Sequence, residues 1–119
     1  MTIESDVNAA IATVCPRVHG ALAPLRTQRP YVTVQNIGGD PTYYLNRSAA
    51  DKRVLRLLIK TWANSKAESL DLIRQVEAAM MAATAFTVRV ESEPLDDVET
   101  DGEPWLFSEL QEFIVIGPR

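Results

Sequence analysis

The residues that could do chemistry in this chain are few and stand far apart. A nucleophile or a zinc site would start from Cys15 and His19, the single cysteine and the single histidine of the sequence. A histidine needs a nearby partner to act as a general base, and structural zinc needs four ligands. No carboxylate stands near His19, and Cys15 closes the apolar stripe of a first helix. The sequence therefore predicts a small buried hydrophobe at Cys15, with no catalytic residue, no metal site and no cofactor.

Two other stretches resemble ligand sites without meeting their requirements. Gly38-Gly39-Asp40 lacks the lysine and the Ser/Thr of a phosphate-binding loop and precedes no predicted helix. The acids Asp96, Asp97, Glu99, Asp101 and Glu103 lack the spacing of an EF-hand calcium loop. They indicate a solvated hairpin tip.

Charge is divided along the chain. Residues 17–66 hold nine Lys/Arg and two acids, whereas residues 91–112 hold nine acids and no base. Two solvated surfaces would explain this division, and so would a head-to-tail assembly in which the basic part of one copy faces the acidic part of the next. The dispersed bases, the pI of about 4.9 and the lack of a nucleic-acid motif argue against sequence-specific nucleic-acid binding.

Composition predicts one domain over residues 1–119. The hydrophobic fraction of 46% and the charged fraction of 24% are ordinary for a globular protein. A single cysteine indicates a reducing compartment. The N-terminus opens with two acids instead of a basic signal peptide, and no apolar run reaches membrane-spanning length, so we expect the chain in the cytoplasm and away from membranes.

Periodicity predicts the elements that must position these residues. Apolar residues at helical spacing predict a first helix ended by Pro16, and Ser65 with Glu68 has the capping-box spacing that starts a second helix. Strands are predicted at residues 18–22, 30–37, 53–63, 86–90 and 105–116, the last two as a long-looped hairpin. The order α-β-β-β-α-β-β predicts an α+β domain whose antiparallel sheet carries both helices on one face.

The strand at residues 53–63 is apolar on both faces, which predicts a central position. One side holds Leu55, Leu57, Ile59 and Thr61, and the other holds Val54, Arg56, Leu58, Lys60 and Trp62. We expect Trp62, just before the second helix, to be a core residue between sheet and helix. The last strand is also apolar on both faces, which implies that another subunit covers the second face.

Interface candidates follow from residue type and charge. Tyr43 and Tyr44 lie in a docking loop predicted from Gly38 to Ala50, and tyrosine is enriched at interfaces, although the two residues could equally be loop residues that cover the sheet. The bases predicted to approach a neighbouring copy are Arg47, Arg53, Arg56 and Lys60. Their predicted counterparts are Asp96, Asp97 and Glu99 of that neighbour. Alternatively, these acids line the lumen of the assembly and repel other anions there.

Five segments in this order resemble a known family. They are IESDVNAAI, the strand and turn PYVTVQNIGGDP, the basic strand RVLRLLIKTWANS, the helix segment ESLDLIRQVEAAM and the final strand WLFSELQEFIV. Together they are similar to the small tail-completion proteins, also called tail terminators or tail-to-head joining proteins, of long-tailed bacteriophages and prophages. The resemblance covers nearly the whole chain, although VHGALAP and LNRSAADKR fit the family pattern loosely.

The resemblance implies a structural protein, not an enzyme, that forms a ring, often a hexamer, at the end of the tail tube and joins it to the head connector. Its partners would be further copies of itself, the tail tube protein and a connector or neck protein. It would reside in the virion tail or neck after assembly in the bacterial host cytoplasm. No site residue carries over from the family.

Two alternatives from other classes remain open. One is a small cytoplasmic enzyme or ligand-binding domain with a pocket that uses His19 or Tyr43. The other is a monomeric adaptor that binds one partner by strand addition to a free sheet edge.

Overall fold

The computed structural model describes residues 3–20, 29–38, 52–99 and 106–118. These residues form an α+β arrangement, as predicted. In chain order the elements are α1 (Ile3–Ala12), β1 (Val18–Gly20), β2 (Tyr31–Asn36), β3 (Lys52–Ala63), α2 (Lys66–Ala82), β4 (Thr87–Val90), β5 (Leu95–Glu99) and β6 (Leu106–Pro118).

The six strands form one sheet in the order β1-β2-β3-β6-β4, with β5 also paired to β6. β3 lies between β2 and β6, so the central position predicted from its two apolar faces is confirmed. The prediction of an entirely antiparallel sheet is wrong, because β1 runs parallel to β2 with Val18 opposite Val32. β1 has only three residues, and so short a strand has no pattern that reveals its direction.

An additional strand occupies part of the stretch that the sequence predicts as a loop. β5 pairs antiparallel with the first half of β6, from Leu95 opposite Leu110 to Glu99 opposite Leu106. β4 pairs with the second half of β6, as the predicted hairpin requires, so the two short strands share the outer edge of β6. Acidic residues are poor strand formers, so the acidic composition of residues 95–99 did not predict a strand. Backbone pairing with β6 stabilises β5 in spite of this composition.

The second helix begins where its capping pattern predicts. Ser65 is the N-cap of α2, and its Oγ accepts a hydrogen bond of 3.2 Å from the backbone N–H of Glu68. The first helix ends at Ala12, before Pro16, because the residue ahead of a proline disfavours helical geometry. The start of α2 and the end of α1 therefore follow from the local sequence.

Both helices pack on one side of the sheet, which we call the covered face. The odd-numbered residues of the two long strands are buried there: Leu55, Leu57, Ile59, Thr61 and Ala63 of β3, and Glu109, Gln111, Phe113 and Val115 of β6. They meet the buried stripes of the helices, Ile3, Val7 and Ile11 of α1 and Leu72, Ile73, Val76 and Met80 of α2. The hydrophobic core thus lies between one sheet face and two helices.

Candidate interaction surfaces

The opposite side of the sheet, which we call the open face, has no layer packed on it among the described residues. It is formed by the even-numbered residues of β3 and β6 and by the odd-numbered residues of β2, β4 and β5. Of the four large apolar side chains that are exposed in the described part of the chain, Ile37, Leu95 and Ile116 lie on this face. Several large apolar residues exposed on one face mark a candidate interaction site.

An aromatic cluster occupies one end of the open face. Tyr31 of β2 stacks on Trp62 of β3 with ring centroids 5.8 Å apart and an interplanar angle of 17°. His19 meets the edge of Tyr31 at 6.4 Å, and Lys60 Nζ lies 4.3 Å from the Trp62 ring centroid. Trp62 Nε1 donates a hydrogen bond of 3.3 Å to Thr33 Oγ1. The cluster is therefore held in place by contacts within the sheet.

The expectation that Trp62 belongs to the core is wrong. Its strand neighbours Thr61 and Ala63 are buried on the covered face, whereas Trp62 is half-buried on the open face. Alternation along a strand assigns residues to two faces but does not say which face the helices cover, and both faces of β3 are apolar. Trp62 becomes a candidate interface residue instead.

The predicted interface bases have different surroundings. Arg53 Nη2 lies 3.3 Å from Glu4 Oε1 of α1, so this base is engaged within the chain. Lys60 Nζ lies 3.3 Å from Asp97 Oδ2. Arg56 is exposed on the open face, and no described residue forms an ion pair with it. Among the described bases of the predicted set, Arg56 is the one open to an outside acid.

The predicted interface acids lie on β5. Asp97 faces Lys60 on the open face, and Asp96 Oδ2 lies 2.7 Å from Lys66 Nζ at the start of α2. Glu99 ends β5, and its side chain is outside the described part. The structure thus brings bases and acids together inside a single chain, a pairing that the sequence analysis assigned to neighbouring copies. Its remaining candidates Tyr43, Tyr44 and Arg47 lie outside the described residues.

A buried carboxyl group lies beside this acidic strand. Glu109 of β6 is 1% exposed, and among the described residues neither of its carboxyl oxygens has a hydrogen-bond partner. Its partner across the ladder is Asp96. Burial first, and then the adjacent Asp96 carboxyl group, raises the pKa of Glu109 to about 7. The Glu109 carboxyl group and the Lys66 ammonium lower the pKa of Asp96, which in turn raises the pKa of Lys66.

Glu109 belongs to a polar layer between the sheet and α2. Thr61 Oγ1 donates to the Ser69 carbonyl at 3.0 Å, and Ser69 Oγ donates back to the Thr61 carbonyl at 3.2 Å. Gln111 Nε2 donates to Glu77 Oε1 at 3.1 Å. The reciprocal hydrogen bonds offset the cost of burying these hydroxyl groups.

Glu109 and Lys66 also belong to this site, although the sequence did not predict them there. A signal was present, because acids interrupt the middle of the last strand and Glu77 interrupts the apolar stripe of α2. Such interruptions on a face that is otherwise apolar predict paired polar groups between sheet and helix.

Residues that could support catalysis or metal binding remain scattered. Cys15 is buried, as predicted, and His19 is half-buried beside Tyr31. Within the described ranges, no group of three or more His, Cys, Asp and Glu side chains could hold a metal ion. No helix in the same ranges is long and apolar enough to cross a membrane.

Comparison with known families identifies the chain. The family model described as "Tail completion protein gp17" matches residues 4–112. This span runs from α1 into β6 and includes the acidic strand β5 and the part of the open face that precedes residue 113. Comparison with curated proteins gave no match. The chain therefore belongs to the tail completion protein gp17 family, a family of structural proteins of bacteriophage tails.

Proposed function

We propose that this chain assembles as a hexameric ring at the end of a phage tail tube and joins the tube to the head connector. Its partners in this proposal are further copies of itself, the tail tube protein and a connector or neck protein. It reaches the virion tail or neck after assembly in the host cytoplasm. The observation that carries the proposal, beside family membership, is the open face of the sheet.

The open face has the composition of a protein interface. A sheet with one covered face ordinarily presents polar residues on the other. Here Leu58 and Ile114 are half-buried near its centre, Trp62 is half-buried at one end, and Arg56 is exposed. Aromatic residues and arginine are enriched at interfaces, and buried aromatic anchors supply much of their binding energy. A second protein surface is the partner that this composition fits.

A ring also requires a second, different surface, because head-to-tail contacts join unlike patches. The acidic strand β5 supplies a patch of opposite charge to Arg56, with Asp97 at the margin of the open face and Asp96 on the other side of the strand. Asp96 and Asp97 are exposed, with side-chain exposures of 52% and 54%. We propose that Arg56 of one copy approaches the acidic strand of its neighbour. This contact needs no base that is already engaged within the chain.

A pair of matched variants tests the proposal. Ile116→Asp places a charge at an apolar side chain that is 37% exposed on the open face, and Met81→Asp places the same charge at one that is 60% exposed on α2. We expect both variants to unfold at nearly the wild-type denaturant concentration. Only Ile116→Asp should lose ring formation, measured by sedimentation velocity and by electron microscopy of isolated tail tubes mixed with the chain.

Rings formed equally by both variants would contradict the role of the open face. A wild-type chain that neither forms rings nor binds tube ends would contradict the proposed function. Binding of single copies without a ring would favour the monomeric adaptor.

A further inference from the structure

We propose that the ridge formed by residues 95–97 of β5 in one copy packs against Arg56 and Leu58 on the open face of the next copy. In this contact Leu95 is the apolar anchor, and β5 remains paired with the β6 of its own chain. The inference rests on the proposed function, since it names the residues that join copies in the ring. The partner is therefore a second copy of this chain.

The ridge is held firmly on its own sheet. In the connection before β5, the Ser92 carbonyl accepts a hydrogen bond of 2.9 Å from Gln111 Nε2, and Ser92 Oγ accepts one of 3.1 Å from the Glu112 N–H. The ladder to β6 follows, and each of the two acids of the ridge pairs with a lysine of the same chain. A surface that is ordered before binding loses little conformational entropy when a partner covers it. The ridge is thus suited to be a preformed docking element.

Leu95 is the most exposed large apolar side chain in the described part of the molecule. Its exposure is 61%, close to the 60% of Met81 on α2. Unlike Met81, it lies at the margin of the open face, with exposed acids directly after it in the chain. A partner that covers Leu95 removes this apolar surface from water, which favours association.

The residues that receive the ridge repeat its spacing with the opposite charge. Leu95 and Asp97 are two residues apart on one side of β5, and Arg56 and Leu58 are two residues apart on one face of β3. Each of these two pairs spans about 6.6 Å along its strand, so the pairs match when the strands lie face to face. Leu95 then meets Leu58, and the Arg56 guanidinium meets the Asp97 carboxylate. Asp97 is 54% exposed, and a carboxylate accepts several hydrogen bonds, so Arg56 and Lys60 can share it.

A charged neighbour fixes the direction of the contact. Glu112 of β6 lies across the ladder from Leu58, whereas the apolar Ile114 lies across from Arg56. The reversed alignment would place Asp97 beside Glu112, and like charges in contact oppose binding. The proposed alignment separates these two acids.

The two halves of the contact cannot meet within one chain. β6 lies between β3 and β5, and neighbouring strands are about 4.8 Å apart, so Leu95 and Leu58 of one chain are separated by about 10 Å or more. The contact therefore joins unlike surfaces of two copies, which is the heterologous kind that closes a ring when the rotation between copies allows.

A pair of cysteines tests the alignment. A disulfide needs Cα atoms about 4.4–6.8 Å apart, so cysteines at Leu95 and Leu58 can bond between copies but not within one chain. We expect the variant Leu95→Cys/Leu58→Cys, oxidised after assembly and separated on a denaturing gel without reductant, to give a series of linked chains. The same variant oxidised as a dilute monomer should give single chains. The native Cys15 is buried and does not compete.

The control variant keeps the first cysteine and moves the second to α2. We expect assembled Leu95→Cys/Met81→Cys to give single chains, because Met81 is as exposed as Leu95 but lies away from the open face. Rings of Leu95→Cys/Leu58→Cys that yield no more linked chains than the control overturn the contact. The proposed function is unaffected by that result, since sedimentation still shows rings. A wild-type chain that does not assemble overturns both.

A second measurement avoids cysteines altogether. Leu95→Ala and Met81→Ala shorten two side chains of almost equal exposure, so both variants should unfold at nearly the wild-type denaturant concentration. Loss of an anchor residue weakens a protein contact by about fivefold or more. We expect Leu95→Ala to need at least that increase in concentration to form rings in sedimentation velocity, and Met81→Ala to assemble as the wild type does. Rings formed at the same concentration by both variants overturn the role of Leu95.

Discussion

The covered face and the open face are built from alternate residues of the same strands, and they differ in what lies between their apolar side chains. On the covered face Leu57, Ile59 and Phe113 are at most 1% exposed, and the polar groups beside them are layered against α2. On the open face Leu58 and Ile114 are half-buried and alternate with exposed or paired charges. Charges within an apolar surface keep the free chain soluble while leaving an area that a partner protein can cover.

The largest effect should come from the covered face. Phe113 is 0% exposed, and Phe113→Ala removes its ring from the core. We expect the free energy of unfolding to fall by about 3–5 kcal/mol, a large part of the roughly 5–15 kcal/mol typical of a domain. Urea denaturation followed by circular dichroism measures this change. A smaller loss than that caused by Trp62→Ala in the same buffer would mean that the two faces are assigned the wrong way round.

The next largest effect on stability concerns Glu109, the buried acid of the covered face. In the fold the pKa of Glu109 is raised from its ordinary 4.5 to about 7 by burial and by Asp96. As pH rises through this window, the unfolded chain releases the proton while the folded chain retains it, so the wild type loses stability. Glu109→Gln lacks this titration and should be more stable than the wild type at pH 8 by up to about 3 kcal/mol, since one pKa unit is 1.36 kcal/mol.

Denaturation at a series of pH values measures the difference between the two proteins. Below pH 4.5, where Glu109 is protonated in both states, the difference should be small. Stability curves that run parallel from pH 4 to pH 8 would show that Glu109 is not the titrating group.

A smaller effect on stability is expected at the open face. Trp62→Ala removes the stack on Tyr31 and the contact with Lys60. Aromatic pairs and exposed cation–π contacts contribute about 0.5–1.5 and 0.5–1 kcal/mol, so we expect a loss of about 1–2 kcal/mol by denaturation. Attachment to tail tubes should fall much more. Trp62→Phe, which retains an aromatic ring but lacks Nε1, is the control and should recover most of the stability.

The sequence predicted those parts of the fold that depend on neighbours along the chain. The cap at Ser65, the end of α1 before Pro16 and the alternation within β3 are local patterns, and the structure contains all three. The direction of β1 and the existence of β5 depend on pairing with distant residues. Val18 meets Val32, and Leu95 meets Leu110, and no short-range pattern records either pair.

The sequence predicted several of the residues in the candidate site but not the contacts between them. Lys60 and Asp97 were both selected for their charge, but their contact spans 37 residues and depends on the position of β5. Glu109 becomes a buried acid only because α2 and β5 both lie against its strand. Trp62 was assigned to the wrong face because β3 is apolar on both faces. Which face becomes the core depends on where the two helices pack.

The smallest effect on stability, and the most direct test of the open face, is expected at Arg56. This side chain is exposed, and no described residue forms an ion pair with it, so Arg56→Ala should change the free energy of unfolding by less than about 0.5 kcal/mol. If Arg56 meets the acids of a neighbouring copy, the variant should nevertheless form fewer rings. The wild type should lose rings as salt rises over the range in which charges are screened, whereas assembly of the variant should depend less on salt. Arg74→Ala, at an exposed arginine on α2, is the matched control and should behave as the wild type in both measurements. Equal ring formation by the two variants at every salt concentration would exclude Arg56 from the interface, and the contact between copies would then depend on the apolar and aromatic residues of the open face.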